Sequence, residues 1–165
     1  MMPPSEFVVH AIVLGLGATA LMDAWIWLRQ RWLGVPGMNY TLLGRWVAWL
    51  PRGRFLHDPV AATPPVHGER VIGIAAHVLT GIVFAAILLM FGGEAWLRAP
   101  TLPLSLMVGI GSVVAPFLMM QPGKGLGIAA RRAPHPGRTR LHSLVTHAMF
   151  GVGLYLSGQI LSWMA

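Results

Sequence analysis

VIGIAAHVLTGIVFAAILLMF, residues 71–91, decides how the rest of the chain is read. It carries no formal charge, and its length as an α-helix matches a bilayer's hydrocarbon core, which takes roughly 20 helical residues to cross. Three more stretches share this character: residues 7–28, 101–120 and 141–163, the first interrupted by Asp23 and the third by Pro116. The expectation is an all-α integral membrane protein, one transmembrane domain over residues 1–165 with four transmembrane helices. Composition agrees. Only 10% of the residues are charged and 55% are hydrophobic, whereas soluble domains average about 25% charged. Water would leave too much apolar surface uncovered.

The net charge of +7 invites a nucleic-acid reading. The basic residues, however, fall in short clusters between apolar runs, the pattern of membrane flanks. A lipid bilayer is the expected partner and nucleic acid is not. With no cysteine, disulfides and thiolate metal sites are excluded. Eleven of the twelve basic residues are Arg, a hint of a GC-rich bacterial genome. No cleavable signal peptide is expected, because Met1 to Glu6 carry no positive charge and the apolar run that follows contains Asp23.

Orientation follows from Arg and Lys. The first connection holds Arg29, Arg31, Arg45, Arg52, Arg54 and Arg70, and the third holds Lys124, Arg131, Arg132, Arg138 and Arg140. The second holds only Arg98 and the tails hold none. The positive-inside rule therefore places both long connections in the cytoplasm and both termini in the periplasm of a bacterial inner membrane. Within the first connection, Asn39 caps a short predicted helix over residues 40–50 that Pro51 stops. Its Leu42, Leu43, Trp46, Val47 and Leu50 recur at helical spacing. That face rests either in the headgroup region or on the protein's own cytoplasmic ends.

The second and fourth helices repeat a pattern, Gly73-x3-His77-x3-Gly81-x3-Ala85 against Ser143-x3-His147-x3-Gly151-x3-Tyr155. The first and third share a weaker one, GLGATALMD from Gly15 against GIGSVVAPF from Gly109. Two tandem helical hairpins in parallel orientation are expected, with small residues permitting close approach in lipid. At 1.5 Å per residue, Asp23, His77 and His147 then share a depth roughly 8 to 10 Å inside the cytoplasmic boundary.

An ionisable group at that depth costs about 2.5–3.5 kcal/mol on insertion scales, so it turns inward and finds partners. Three readings of the cluster follow. Asp23, His77 and His147 form a metal site for zinc or iron, or the two His hold a b-type haem, with His57, His67, His135 and His142 as further ligands. Alternatively the three relay protons or bind a solute in a small transporter, which favours a homodimer or larger membrane complex. The plainest reading, and the leading one, is structural: the polar groups lock the helices together in a structural or accessory subunit, which leans away from an enzyme without deciding the point.

Lys124, Arg131, Arg132, Arg138 and Arg140 are candidate contacts for anionic headgroups, while the segment around Lys124 lacks P-loop spacing. His10 is expected alone at the outer interface. Trp25, Trp27, Trp96 and Trp163 lie near helix ends, as an aromatic belt would have them. His57-Asp58-Pro59 is either a polar dyad or a turn.

The string NYTLLGRWVAWLPRGRF (residues 39–55), with VAATPPVHGER (60–70) and GIAARRAPHP (127–136), resembles a family of small bacterial membrane proteins catalogued as domain of unknown function 2938. The resemblance implies a bacterial inner membrane and four helices over nearly the whole chain. It implies no chemistry for any residue.

Overall fold

The structure, a computed structural model, describes residues 2–164; Met1 and Ala165 lie outside the described residues. Helix accounts for 79% of the described residues, and no strand occurs among them. Among these residues, four helical stretches are long and apolar enough to cross a membrane: Pro4–Leu33, Glu69–Arg98, Leu102–Gly123 and Pro136–Met164.

Helix α1, Pro4–Leu33, starts on proline, whose fixed φ suits the first helical turn, and stops at Gly34 in the left-handed region. It runs straight through Asp23 and past Leu28, carrying Arg29 into the helix. Asn39 caps α2, Tyr40–Trp49, by accepting from Leu42 N, and a 3₁₀ turn, Leu50–Arg52, follows at Pro51. The long α3, Glu69–Arg98, breaks at Gly93 (φ 58°, ψ −158°), values open only to glycine. The third apolar stretch is not one regular helix. α4, Leu102–Gly111, gives way at Ser112 to a π-helical run, Pro116–Met120, and to the short α5, Gln121–Gly123. Pro116 has no N–H to give, and the backbone widens around it. α6, Pro136–Met164, again opens on proline.

The chain forms two compact units. The first comprises Met1–Gly37, Val78–Ser112 and Leu144–Ala165. Its core gathers Leu14, Ala18 and Met22 of α1, Leu88 and Trp96 of α3, Val108 of α4, and Phe150 and Leu154 of α6. Glycines set the helix spacing in it. A Cβ on Gly15 would lie 2.6 Å from Ile82 Cα, and one on Gly109 would overlap the Gly151 backbone. Trp96 corrects its expected place in an aromatic belt. It is only 4% exposed, seated beside Gly92 and Gly158, with its indole N–H donating to Thr101 O at 3.3 Å. Trp27 and Trp163 are exposed.

The second unit comprises Met38–His77 and Val113–Ser143. There Gly44 and Gly73 let α2 and the start of α3 touch backbone to backbone, since a Cβ on Gly44 would overlap Glu69 O. The expected apolar face of α2 is turned partly into this unit: Leu43 is buried, while Leu42, Trp46, Val47 and Leu50 are half-buried. The turn around Ile128–Ala130 holds two alanines in the left-handed region, Ala129 (φ 48°) and Ala130 (φ 55°).

Two neighbouring glycines of α4 offer a paired test. Gly109→Ala must push the α6 backbone away, whereas a Cβ at Gly111 meets nothing within 4 Å. Overpacking of this kind costs about 1–3 kcal/mol. Thermal unfolding in detergent should therefore show a clear loss for Gly109→Ala and none for Gly111→Ala.

Candidate functional site

Several polar side chains of the first unit meet between its helices. Successive buried positions on α1 (Ala11, Gly15, Ala18, Met22, Ile26) lead along one stripe to Arg29, which is only 8% exposed. Its Nη1 donates to Thr146 Oγ1 of α6 at 3.4 Å. The next residue on α6, His147, is half-buried, and its Nδ1 lies 2.6 Å from Ser112 Oγ. Ser112 also donates to Gly109 O at 2.6 Å, so its hydroxyl proton goes to the carbonyl and the oxygen accepts from a protonated Nδ1. That fixes the imidazole as a donor at this nitrogen. Asp23, half-buried on α1, belongs to this unit and is also engaged in a polar interaction.

The second unit is held by one arginine. Arg45 of α2 makes a fork with Glu69 at the start of α3, Nε to Oε2 at 2.9 Å and Nη2 to Oε1 at 2.8 Å. Its Nη1 donates to the carbonyls of Ala61 and Thr63, each at 3.1 Å. Glu69 Oε2 accepts further from Val66 N at 3.0 Å. Thr63 carries the network onward, its hydroxyl lying 2.7 Å from His57 Nδ1. The His57 amide donates to Gly123 O and the Val60 amide to Lys124 O. His57 is 4% exposed, and its Nε2 is buried without a partner. Burial, aided by the nearby Arg54 charge, pushes its imidazole below the ordinary value. Burial likewise lowers the Lys124 ammonium. His77 also belongs to this unit, buried, its ring centroid 5.2 Å from that of Tyr40 at a 55° tilt.

A family model described as a protein of unknown function (DUF2938) matches residues 12–161. The chain belongs to the DUF2938 family. No curated protein and no solved structure matches it. The three strings that carry the family resemblance, residues 39–55, 60–70 and 127–136, all fall in the second unit of this DUF2938 protein. They supply the arginine fork, the Thr63 hydroxyl that meets His57, and the left-handed alanine pair.

Of the candidate site residues, Asp23 and His147 fall in the first unit and His77 in the second. Among the described residues no three His, Asp or Glu side chains form a group that could hold a metal ion. His67 and His135 are exposed and His142 is half-buried. The His57-Asp58 pair is a turn, with a cis Asp58–Pro59 peptide: His57 turns to Thr63, and Asp58 faces Arg132 at 3.8 Å. Among the basic headgroup candidates, Arg140 donates to Ala129 O at 2.8 Å, Lys124 is half-buried, and Arg131 and Arg138 are exposed.

Sequence reasoning passed over Arg29, Ser112 and the Arg45–Glu69 fork. Arg29 had a signal, since it continues the α1 stripe at helical spacing beyond the apolar window. The fork had none: 24 positions separate its partners.

Two outcomes are expected. Lysine has no fork to offer, so Arg45→Lys should cost about 1.5–3 kcal/mol, the worth of a charge-assisted hydrogen bond. Faster trypsin cleavage at Arg52 and Arg54 in detergent-solubilised protein would report it. The lowered His57 value means the folded turn favours the neutral ring. Its stabilisation is complete above the ordinary imidazole value near 6.5 and is lost as pH falls below it. Hydrogen exchange of residues 55–63, corrected for intrinsic rates, should show the turn loosening below that pH, and His57→Ala should abolish the dependence.

Proposed function

We propose that this chain is a multi-pass protein of the bacterial inner membrane whose intramembrane polar residues tie helices together, and that it serves as a structural or accessory subunit. Both termini face the periplasm, and the two Arg-rich connections face the cytoplasm. The observation that carries the reading is the His147–Ser112 contact at 2.6 Å. An imidazole inside an apolar stretch is spent on the hydroxyl of a neighbouring helix, and the preceding Thr146 accepts from Arg29. In lipid an unsatisfied polar group costs several kcal/mol, so such pairs pin helix register.

The tandem-hairpin reading draws support from the same unit. Gly15 meets Ile82, next to Gly81, while Gly109 meets Gly151. Corresponding glycines thus sit at close crossings in each proposed hairpin. The helix over residues 40–49 takes an interfacial position in this reading, with Leu42 and Val47 half-buried and available to the headgroup region.

Reporter fusions at each end, active only on one side of the membrane, should both give a periplasmic signal. Ser112→Ala and His147→Ala should each cost about 0.5–1.5 kcal/mol by removing the hydrogen bond between α4 and α6, read as thermal unfolding in detergent. A Soret band, or a stoichiometric metal lost in both His77→Ala and His147→Ala, would overturn the structural reading in favour of a cofactor site.

A further inference from the structure

The first unit contains a feature that the polar seams do not use. Beyond the break of α3 at Gly93, Trp96 enters the core and Leu97 packs against its edge, while Glu94, Leu97 and Arg98 share one helical face. With Glu6 and His10 of α1 and Leu161 of α6 they line an open cleft of about 530 Å³, within the range of small-ligand sites. Glu6 and His10 are one turn apart and share a face. His10, expected alone, thus shares a cleft with charged side chains.

The chemistry of the lining is specific. Glu94 is neutralised by Arg98 at 3.4 Å. Glu6 adds a carboxylate beyond that pair. His10 Nδ1 is buried and has no hydrogen-bond partner in the chain. As the Nε2–H tautomer, His10 presents Nδ1 as an acceptor, and a buried acceptor left unmatched is destabilising. The cleft therefore offers acceptors at Glu6 and His10, a largely exposed guanidinium at Arg98 (82% exposed side chain), and an apolar flank at Leu97 and Leu161. A simple anion is repelled by Glu6, the carboxylate that has no cation paired with it, since Arg98 is shared with Glu94. A bare divalent cation finds no three-ligand group. A purely apolar molecule leaves His10 unmatched.

We infer that this cleft binds a zwitterion in which a primary ammonium and a phosphate are joined by a short linker, the chemistry of a phosphoethanolamine group. The ammonium donates to Glu6 and to His10 Nδ1, which a rotation of the half-buried imidazole brings from its buried position to the cleft; Arg98 exchanges Glu94 for the phosphate, and the leucines take the adjoining carbon chain. The group reaches the cleft either on an aminophospholipid or as a soluble phosphoethanolamine. The inference is independent of the polar-seam proposal and shares with it only the membrane setting.

The test uses the full chain, purified with minimal detergent washing and examined by native mass spectrometry after reconstitution in mixed phosphatidylethanolamine, phosphatidylglycerol and phosphatidylcholine. Retention of phosphatidylethanolamine should exceed that of the other two by about tenfold, a difference of about 1.4 kcal/mol. Phosphatidylcholine is the decisive control, because its quaternary ammonium has no N–H to donate. Glu6→Gln, His10→Ala and Arg98→Gln should each remove most of the preference, while Gly111→Ala keeps it; unchanged unfolding temperatures establish that the variants fold. If soluble phosphoethanolamine displaces the lipid at matching concentration, the soluble compound is the ligand; if it does not, the lipid is. Equal retention of the three lipids, or a preference indifferent to Glu6→Gln and His10→Ala in folded protein, would overturn the proposal.

Discussion

The fork between Arg45 and Glu69 is the interaction on which the second unit depends. Four of the five donors on a planar guanidinium are matched here, by two carboxylate oxygens and two backbone carbonyls. Both side chains are close to nine-tenths buried, so each would carry a large desolvation cost without the other. The pair fixes α2 against α3, and through the carbonyls it fixes the turn containing Thr63. Thr63 then orients His57, whose amide reaches Gly123. One ion pair thus sets the course of a polar chain of contacts that crosses from the first connection to the third. The glycines at 44 and 73 are its steric counterpart, because any side chain there would hold the two helices too far apart for the fork to close.

The first unit solves a different problem. Its helices are apolar on nearly every face, so burial of apolar surface does little to choose one packing over another in a lipid-like medium. Specificity falls to two devices. Small residues let backbones meet at Gly15 and Gly109, and a few polar pairs, Arg29 with Thr146 and Ser112 with His147, fix which residues face one another. Both operate over short distances and tolerate little displacement, which suits a bundle that must select one register among many of similar hydrophobicity.

How much of this was legible beforehand depended on the range of the interaction concerned. Apolar runs of helical length identified the four long helices, and an asparagine followed by helical spacing identified α2 and its cap. These are local signals. The break at Pro116 was also visible as an interruption, since proline acts on its own backbone. The break at Gly93 was not, because glycine permits an unusual φ without requiring it, and Trp96 was consequently assigned to lipid rather than to the core. Asp23, His77 and His147 stood out as costly residues, yet sequence could not supply their partners. Ser112 and Tyr40 lie far along the chain or in another element, and neither residue type is marked as a partner by its own neighbourhood. His10 illustrates the converse, appearing solitary because Glu94 and Arg98, which line one cleft with it, lie more than 80 positions along the chain.

The two alanines at 129 and 130 show where conformational information resides in this molecule. Left-handed backbone costs an L-residue roughly 1–2 kcal/mol, and burying one methyl group returns about 0.8 kcal/mol. The segment therefore does not choose its own shape. It is imposed from outside, by Arg140 on the Ala129 carbonyl, by the Arg132 amide on Leu126 O, and by the packing that leaves Ala130 fully buried. A synthetic peptide of the same residues would relax to other conformations, and an antibody raised against it would be blind to the folded protein even though every residue of its epitope is present.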